Sequence, residues 1–496
     1  MRTSAQTKAE DSLFSIDLSH RFLHFRRTKI VATVGPASNS RAMLEKLIKA
    51  GVNVIRINFS HGDAEDHLKT IRLIRAICAS LGKSVAILAD LCGPKIRVGK
   101  FKGDAVTLKD GARVWITAEP VLGDAQLIPS QYRAIIREAR INDAVLLDDG
   151  NLELKVLRKA GNRLMARVVR GGVLTNNKGM NLPNTPLGVK ALTEKDKRDA
   201  AFAVKGGVDY IALSFVRKPH DIEELRRHLK KLGAQTHIIA KIEKPEALKS
   251  ISRIVELSDG IMVARGDLGV ELPARKVPII QNKLIAIANQ HNKPVIVATQ
   301  MLESMVEHSR PTRAEVTDVA GACLAGADAV MMSAETASGK YPLEAFATMD
   351  SILRETEAYQ FFSQNGRFTK AGSDESNLVQ AALGTAAAQI SRDLMVRAVF
   401  VLTRSGFTAR MVSADRPAAP ILAFTHADDV ARRLHLMWGV YPYPISGRLT
   451  FEESLAHGVK ILRRLGLAQR GSHVLMVSTI GASTGGTSAI VVHKIE

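Results

Sequence analysis

Cysteine is scarce in this chain: Cys78, Cys92 and Cys323 are the only 3 among 496 residues. Their spacing matches neither a disulfide framework nor a zinc site, and so few thiols suit a reducing cytoplasm. Aromatic side chains make up 5%, too few for the stacked platforms on which single-stranded nucleic acid lies. The apolar runs all stop short of the roughly 20 residues that cross a bilayer, so no membrane span is expected. Residues 1–27 lack an apolar signal core and carry Glu10, Asp11 and Asp17. They are expected to form a loosely ordered N-terminal extension, not a targeting peptide.

Hydrophobic residues amount to 46% and charged residues to 24%, the balance of a globular protein. The length exceeds one ordinary core, so two to four domains are expected. The formal charge of +20 permits a nucleic-acid-binding protein. Lys and Arg are spread along the whole chain, however, with no basic run and no interleaved aromatics. The reading preferred is a compositional bias that also draws in anionic substrates, with no nucleic acid as partner.

The most informative segment is Ala264-Arg265-Gly266-Asp267-Leu268-Gly269-Val270-Glu271-Leu272-Pro273, preceded upstream by Lys241-Ile242-Glu243. Ile238–Ala240 and Ile261–Val263 read as short buried strands, each delivering charged residues at its C-terminal end. One end offers a lysine and a carboxylate, the other an arginine, a glycine and a second carboxylate. Two such carboxylates suit Mg²⁺, which takes oxygen ligands and keeps positions open for substrate phosphates. The lysine is a compact charge placed to meet a phosphoryl group. The bland alternative is a surface ion-pair cluster.

Strand and helix alternate from Thr28. Strands are expected at Ile30–Val34, Val52–Ile57 and Val85–Ala89, with helices over Arg41–Ala50 and Ala64–Ser80. Gly93-Pro94 breaks the rhythm. The stretch to about Val189 is rich in Gly, Val, Thr and Asp149-Gly150 or Gly161-Asn162 turns, which read as hairpins of an inserted all-β domain. Alternation resumes with a helix capped by Thr193 and closed by Gly206-Gly207. Strands follow at Tyr210–Ser214, His237–Ala240, Ile261–Val263, Val295–Ala298 and Ala329–Met332. Three strands before the insertion and five after it make eight, the count of a closed (β/α)8 barrel. A doubly wound open sheet is the rival, but the charged motifs sit at many strand ends instead of one crevice.

The expected partition is therefore 1–27 as extension, 28–92 with 190–358 as the barrel, 93–189 as a β-barrel insert, and 359–496 as a C-terminal α/β domain. In the last, the Ala398–Leu402 strand runs into Thr403-Arg404-Ser405-Gly406-Phe407-Thr408, and a late turn reads Gly481-Ala482-Ser483-Thr484-Gly485-Gly486-Thr487. Hydroxyls and free amides at a strand-to-helix turn suit a phosphate, although Ser/Gly turns are also common plain loops.

Taken together, the motifs resemble pyruvate kinase from about Thr28 to the C-terminal end. They are Gly35-Pro36-Ala37-Ser38, Asn58-Phe59-Ser60-His61-Gly62, Gly93-Pro94-Lys95-Ile96-Arg97, the two segments above, Ala298-Thr299-Gln300-Met301-Leu302-Glu303-Ser304-Met305, Pro311-Thr312-Arg313-Ala314-Glu315 and Ser333-Ala334-Glu335-Thr336. The resemblance implies a barrel, a lid formed by the insert and a regulatory C-terminal domain. It implies phosphoryl transfer from phosphoenolpyruvate to ADP, giving pyruvate and ATP. Lys241 would neutralise the phosphoryl in flight, Arg56 and Arg97 would bind it, and Thr299 would assist protonation of the enolate. Glu243 and Asp267 would hold Mg²⁺, with Mn²⁺ as a substitute. The amides around Ala264, Arg265, Gly266 and Asp267 would hold the substrate carboxylate. Asn58, Phe59, Ser60, His61, Arg97 and Lys178 would contact the nucleotide, and Glu335 and Arg313 would support the site.

The chain departs from the common pattern around Asn58, Ser60, Asp90 and the Leu91 carbonyl, where many relatives hold K⁺. Lys95 stands where they usually carry glutamate, and Leu91-Cys92 where they carry threonine-lysine. A tethered ammonium takes over the ion's electrostatic role and repels K⁺, so K⁺ is expected not to be required. Cys92 borders the hinge and is read as an inert thiol. The resemblance further implies a cytoplasmic homotetramer with a phosphorylated allosteric effector at Thr403–Thr408. The alternative reading is a catalytically silent paralogue that binds a sugar phosphate or nucleotide.

Overall fold

The computed structural model describes residues 25–183, 185, 188–362, 378–447, 449–478 and 489–496. Most of the N-terminal extension and the whole Gly481–Thr487 turn lie outside the described residues. The chain divides into two compact units. One comprises Val31–Pro311 and Val330–Pro342; the other comprises the described residues among Met1–Ile30, Thr312–Ala329 and Leu343–Glu496.

Eight parallel strands close into a barrel in chain order: Lys29–Val34, Val54–Asn58, Ala86–Asp90, Tyr210–Leu213, His237–Ile242, Gly260–Ala264, Val295–Ala298 and Ala329–Met332. Nearly every residue in them is buried, because barrel strands face a packed interior on one side and helices on the other. That is why they read as unbroken apolar runs. Asp90, Lys241 and Glu243 gather where their strands leave the barrel at the C-terminal end, whereas Lys29 and His237 open theirs. The flanking helices start and stop on strong local signals. Asp63 caps Ala64–Leu81 by accepting from the Asp66 amide. Thr193 and Asp196 form a reciprocal capping box on Glu194–Gly206.

The insert leaves the barrel at Gly93. Its φ is 67°, and a β-carbon there would lie 2.7 Å from the Phe215 ring, so only glycine fits. A six-stranded sheet and a two-stranded ribbon follow. They enclose their own core, in which Val114, Ile116, Leu154, Val156, Leu164 and Ala166 are fully buried or nearly so. Compactness groups this insert with the barrel.

In the other unit, five strands form a sheet in the order Val440–Pro444, Ile421–Thr425, Val399–Leu402, His473–Ser478 and Ala489–Lys494. The last strand runs antiparallel to its neighbour. Helices cover both faces of the sheet, giving two apolar layers. No helix among the described residues is long and apolar enough to cross a membrane.

Candidate active site

The C-terminal ends of the strands bring charge together where the fold leaves the backbone exposed to a ligand. Lys241, on the His237–Ile242 strand, is the centre. Its Nζ lies 3.1 Å from Asp90 Oδ1 and 3.0 Å from Glu243 Oε1, and it donates to Ser214 Oγ at 2.7 Å. Asp90 ends its strand and is shared: Arg56 donates to Oδ2 through Nε and Nη2, each at 2.7 Å, and through Nη1 to Thr33 Oγ1 at 2.9 Å. Five strands or strand ends thus contribute to one buried network.

The electrostatics follow from burial and pairing. Burial would lower the Lys241 ammonium, but Asp90 and Glu243 outweigh it and raise it above its ordinary value. Burial would raise Asp90, but Lys241 and Arg56 hold it below the usual carboxylate range. For Glu243 burial wins: the carboxyl is pushed up to about 7, with Lys241 opposing and the Asp267 carboxylate adding to the rise.

The other half of the site comes from the next two strands. Gly260–Ala264 runs directly into the Arg265–Glu271 helix, and Asp267 in its first turn lines a cleft with Phe215 and Lys244. The Gly266 amide donates to Thr299 Oγ1 at 2.7 Å. Thr299 and Gln300 have φ of 69° and 54°, a left-handed pair that a β-branched residue rarely enters. The Arg265 side chain turns into the fold behind them. It donates to the Thr299 and Gln300 carbonyls at 2.6 and 3.1 Å, which leaves only its backbone for a ligand. Glu335, fully buried, accepts from the Leu302 and Ser333 amides at 3.1 and 2.6 Å and fixes the far end of the same loop. Arg313 opens the Arg313–Leu324 helix and is exposed.

Burial lowers the His61 imidazole, and the charges of Arg97, Lys95 and Arg56 lower it further. Beside it the Phe59 and His67 rings meet at a tilt of 47°, their centroids 4.5 Å apart. Arg97 donates to the Asn177 carbonyl at 2.9 Å. Lys178 lies on the insert and pairs with Asp148 at 2.7 Å. Asn58 Oδ1 accepts from the Ser60 amide at 3.1 Å, and the Leu91 carbonyl accepts from Ser214 Oγ at 2.7 Å. Thr403 Oγ1, in the other unit, accepts from the Gly406 amide at 3.0 Å, Ser405 Oγ accepts from the Phe407 amide at 3.4 Å, and Arg404 is exposed.

Three participants escaped the reading of the chain. Thr33 and Ser214 are ordinary strand-end hydroxyls that mean nothing until the barrel closes. The Phe215 amide, presented by a backbone at φ 57°, donates to Glu243 Oε2 at 2.9 Å. Asp90 at a strand terminus was a usable signal, yet its partner Lys241 is remote in sequence.

A divalent metal suits these residues. Among the described residues no three His, Cys, Asp or Glu side chains form a metal-binding cluster. Mg²⁺ commonly binds through one or two carboxylates together with substrate oxygens.

Comparison with known proteins agrees with this geometry. The model for the barrel domain of pyruvate kinase matches residues 25–346, and that for its alpha/beta domain matches residues 381–493. The chain is 45% identical to pyruvate kinase 2 of Synechocystis sp. over 476 residues, covering 95% of this chain and 80% of that protein. It is 43% identical to pyruvate kinase of Geobacillus stearothermophilus, covering 95% and 81% respectively. With pyruvate kinase of Staphylococcus saprophyticus the identity is 43%, covering 93% and 78%.

Proposed function

Since the chain belongs to the pyruvate kinase family, we propose that it moves the phosphoryl group of phosphoenolpyruvate to ADP, giving pyruvate and ATP. The observation that carries this is Lys241, buried between Asp90, Ser214 and Glu243 at the mouth of the barrel. The P–O bond to the enol oxygen breaks, a new P–O bond forms to ADP, and the enolate left behind takes a proton to become pyruvate. Such a transfer needs charge neutralisation and alignment more than covalent help from the protein.

Lys241 neutralises the transferring group, and Arg56 and Arg97 bind it from the barrel and the insert. Asp90 keeps Lys241 charged and Arg56 oriented. The Asp267 amide takes the substrate carboxylate, for which the Gly266 amide exchanges Thr299 Oγ1, and Thr299 sits beside the carbon to be protonated. Asn58–His61, Arg97 and Lys178 serve the nucleotide, for which Lys178 exchanges Asp148 for a phosphate. The family depends on a divalent metal, and here Glu243 and Asp267 would hold Mg²⁺, which supplies charge to the phosphoryl oxygens when bound.

K⁺ is dispensable in this reading. Lys95 brings a fixed positive charge to His61. The oxygens of Asp90, Asn58 and Leu91 are already engaged by protein donors. A phosphorylated effector at Thr403–Thr408 and a cytoplasmic homotetramer rest on the family resemblance.

The test is a lactate dehydrogenase-coupled assay of phosphoenolpyruvate with ADP and Mg²⁺, run beside a DNA retardation assay. Turnover supports the proposal. Ligand binding without turnover would mean a silent paralogue, and salt-sensitive retardation without turnover a nucleic-acid protein.

A further inference from the structure

The two carboxylates assigned to the metal have neighbours in sequence that form a second buried ion pair. Lys244 follows Glu243, and Glu271 lies four residues after Asp267, on the same side of the Arg265–Glu271 helix one turn on. Lys244 Nζ meets Glu271 Oε1 at 2.5 Å, both residues being buried. Lys244 also lies 5.7 Å from the centroid of the Phe215 ring, whose own amide holds Glu243. The pair therefore ties the end of the Lys241–Glu243 strand to the helix that bears Asp267.

The insert lands on this tie. Asn181, in the short Met180–Asn181 strand, donates through Nδ2 to the same Glu271 Oε1 at 2.9 Å. Nearby, a β-carbon at Gly150 would lie 3.8 Å from Val270 Cγ1, so the Asp149-Gly150 turn also meets this helix. Asn181, Lys95 and Met180 from the insert line one cleft with Asp267, Phe215 and Lys244.

We propose that Glu271 is a positioning residue that makes closure of the insert and alignment of the metal carboxylates one event: the Lys244–Glu271 pair sets the spacing between the elements bearing Glu243 and Asp267, and Asn181 reads that pair. This rests on the phosphoryl-transfer reading above. The geometry gives it a physical basis. A buried lysine needs a counter-charge, and Glu271 supplies it from the barrel side without help from the insert. Glu271 has oxygen lone pairs to spare, so Asn181 adds a charge-assisted hydrogen bond from the insert. Arg97 and Lys178 ride on the insert, so closure delivers the nucleotide-side cations while the metal side is held in register. Preorganised placement of this kind is where a positional error costs rate.

The test reverses the polarity of the contact. Asn181→Asp sets two carboxylates face to face, and kcat/KM for ADP is expected to fall about tenfold or more, the worth of one lost charge-assisted bond plus repulsion. Asn181→Ala removes the bond alone and should give an intermediate loss. The pair Asn181→Asp with Glu271→Gln restores a donor–acceptor contact and leaves a carboxylate for Lys244, and should recover to within about threefold of wild type. Because closure and metal alignment are one event, the Mg²⁺ concentration that half-saturates phosphoenolpyruvate binding without ADP should rise in both Asn181 variants, by reciprocity of the coupling. Amide hydrogen exchange at residues 178–182 should quicken in those variants and return towards wild type in the double variant. This readout needs no turnover, so an inactive wild type would defeat the phosphoryl-transfer reading while exchange still tests the latch. Unchanged kcat/KM and exchange in the Asn181 variants, or a double variant no better than Asn181→Asp, would overturn the proposal.

Discussion

Arg265 donates to the carbonyl of Thr299 at 2.6 Å, and Thr299 holds a left-handed φ of 69°. The two facts belong together. A β-branched residue in that conformation costs about 1–3 kcal/mol and persists only where its surroundings over-determine it. Here one guanidinium nitrogen, Nη2, donates to the carbonyls of residues 299 and 300, while Nε reaches the Ala298 carbonyl and Nη1 the Gln281 side chain, each at 3.4 Å. The Gly266 amide donates to Oγ1, and Glu335 accepts from the Leu302 amide. Arg265→Lys keeps the charge but loses the planar group that reaches all of these partners at once. It is expected to lower kcat about tenfold and to depress Tm, because the loop relaxes. Thr299→Ser, which keeps Oγ1 and sheds the methyl, should stay within about threefold of wild-type kcat. Equal losses in both variants would place the requirement in the Thr299 side-chain volume instead.

Lys241→Met should lower kcat by orders of magnitude with little change in phosphoenolpyruvate affinity, because the charge matters most as the phosphoryl group leaves. It should also depress Tm, since Asp90 and Glu243 remain buried without their shared counter-charge. Retention of a tenth or more of kcat would remove Lys241 from the mechanism.

Glu243→Gln and Asp267→Asn should each raise the Mg²⁺ concentration for half-maximal rate and cut the rate itself, since a hard cation loses an anionic ligand. Glu243→Gln is expected to be the more stable protein without metal, because burial already pushes that carboxyl towards its neutral form. Identical Mg²⁺ titrations in wild type and both variants would make the carboxylates structural.

The effector loop can be narrowed by burial. Thr403 and Thr408 are buried, and Thr403 is spent on the Gly406 amide. Exposed Arg404 and Ser405 are the groups that can meet a phosphate. Ser405→Ala with Arg404→Ala should abolish activation by sugar phosphates while leaving saturating activity nearly intact, as for coupling between distinct sites. A wild-type saturation curve indifferent to every sugar phosphate and to AMP would end this reading.

The barrel was legible because its strands obey one rule throughout: buried on both faces, they read as apolar runs such as Val295–Ala298, each followed by polar residues. Lys241, Glu243 and Asp267 stood out as candidates because each lies at or just past such a strand end. What escaped depends on closure of the barrel. Asp90 and Lys241 are separated by the whole insert, and no local pattern links them. The left-handed Phe215 and Thr299 break the expected residue preference, so propensity argues against the conformations that the site uses. The terminal Ala489–Lys494 strand was missed for another reason: although Ile490, Val491 and Val492 form a β-branched run, it is a half-exposed antiparallel edge outside the alternation of strand and helix.

Lys95 allows a test of the monovalent-ion reading. The wild type should turn over at near-full rate when K⁺ is replaced by a bulky ammonium salt of equal ionic strength. The Lys95 charge acts on His61 together with those of Arg97 and Arg56, and the oxygens of Asp90, Asn58 and Leu91 are engaged by protein donors. Lys95→Glu should then create a K⁺ requirement, because the new carboxylate favours a cation and frees the region of one repelling charge. The rescue should be partial. Asp90 stays bound to Arg56 and Lys241, and the Leu91 carbonyl stays bound to Ser214 Oγ at 2.7 Å, so an incoming ion must compete for both. Ser214→Ala in the Lys95→Glu background frees that carbonyl, and it should tighten K⁺ activation even as it costs kcat through the lost contact to Lys241. Strong K⁺ activation of the wild type would sink the idea, whatever the variants do.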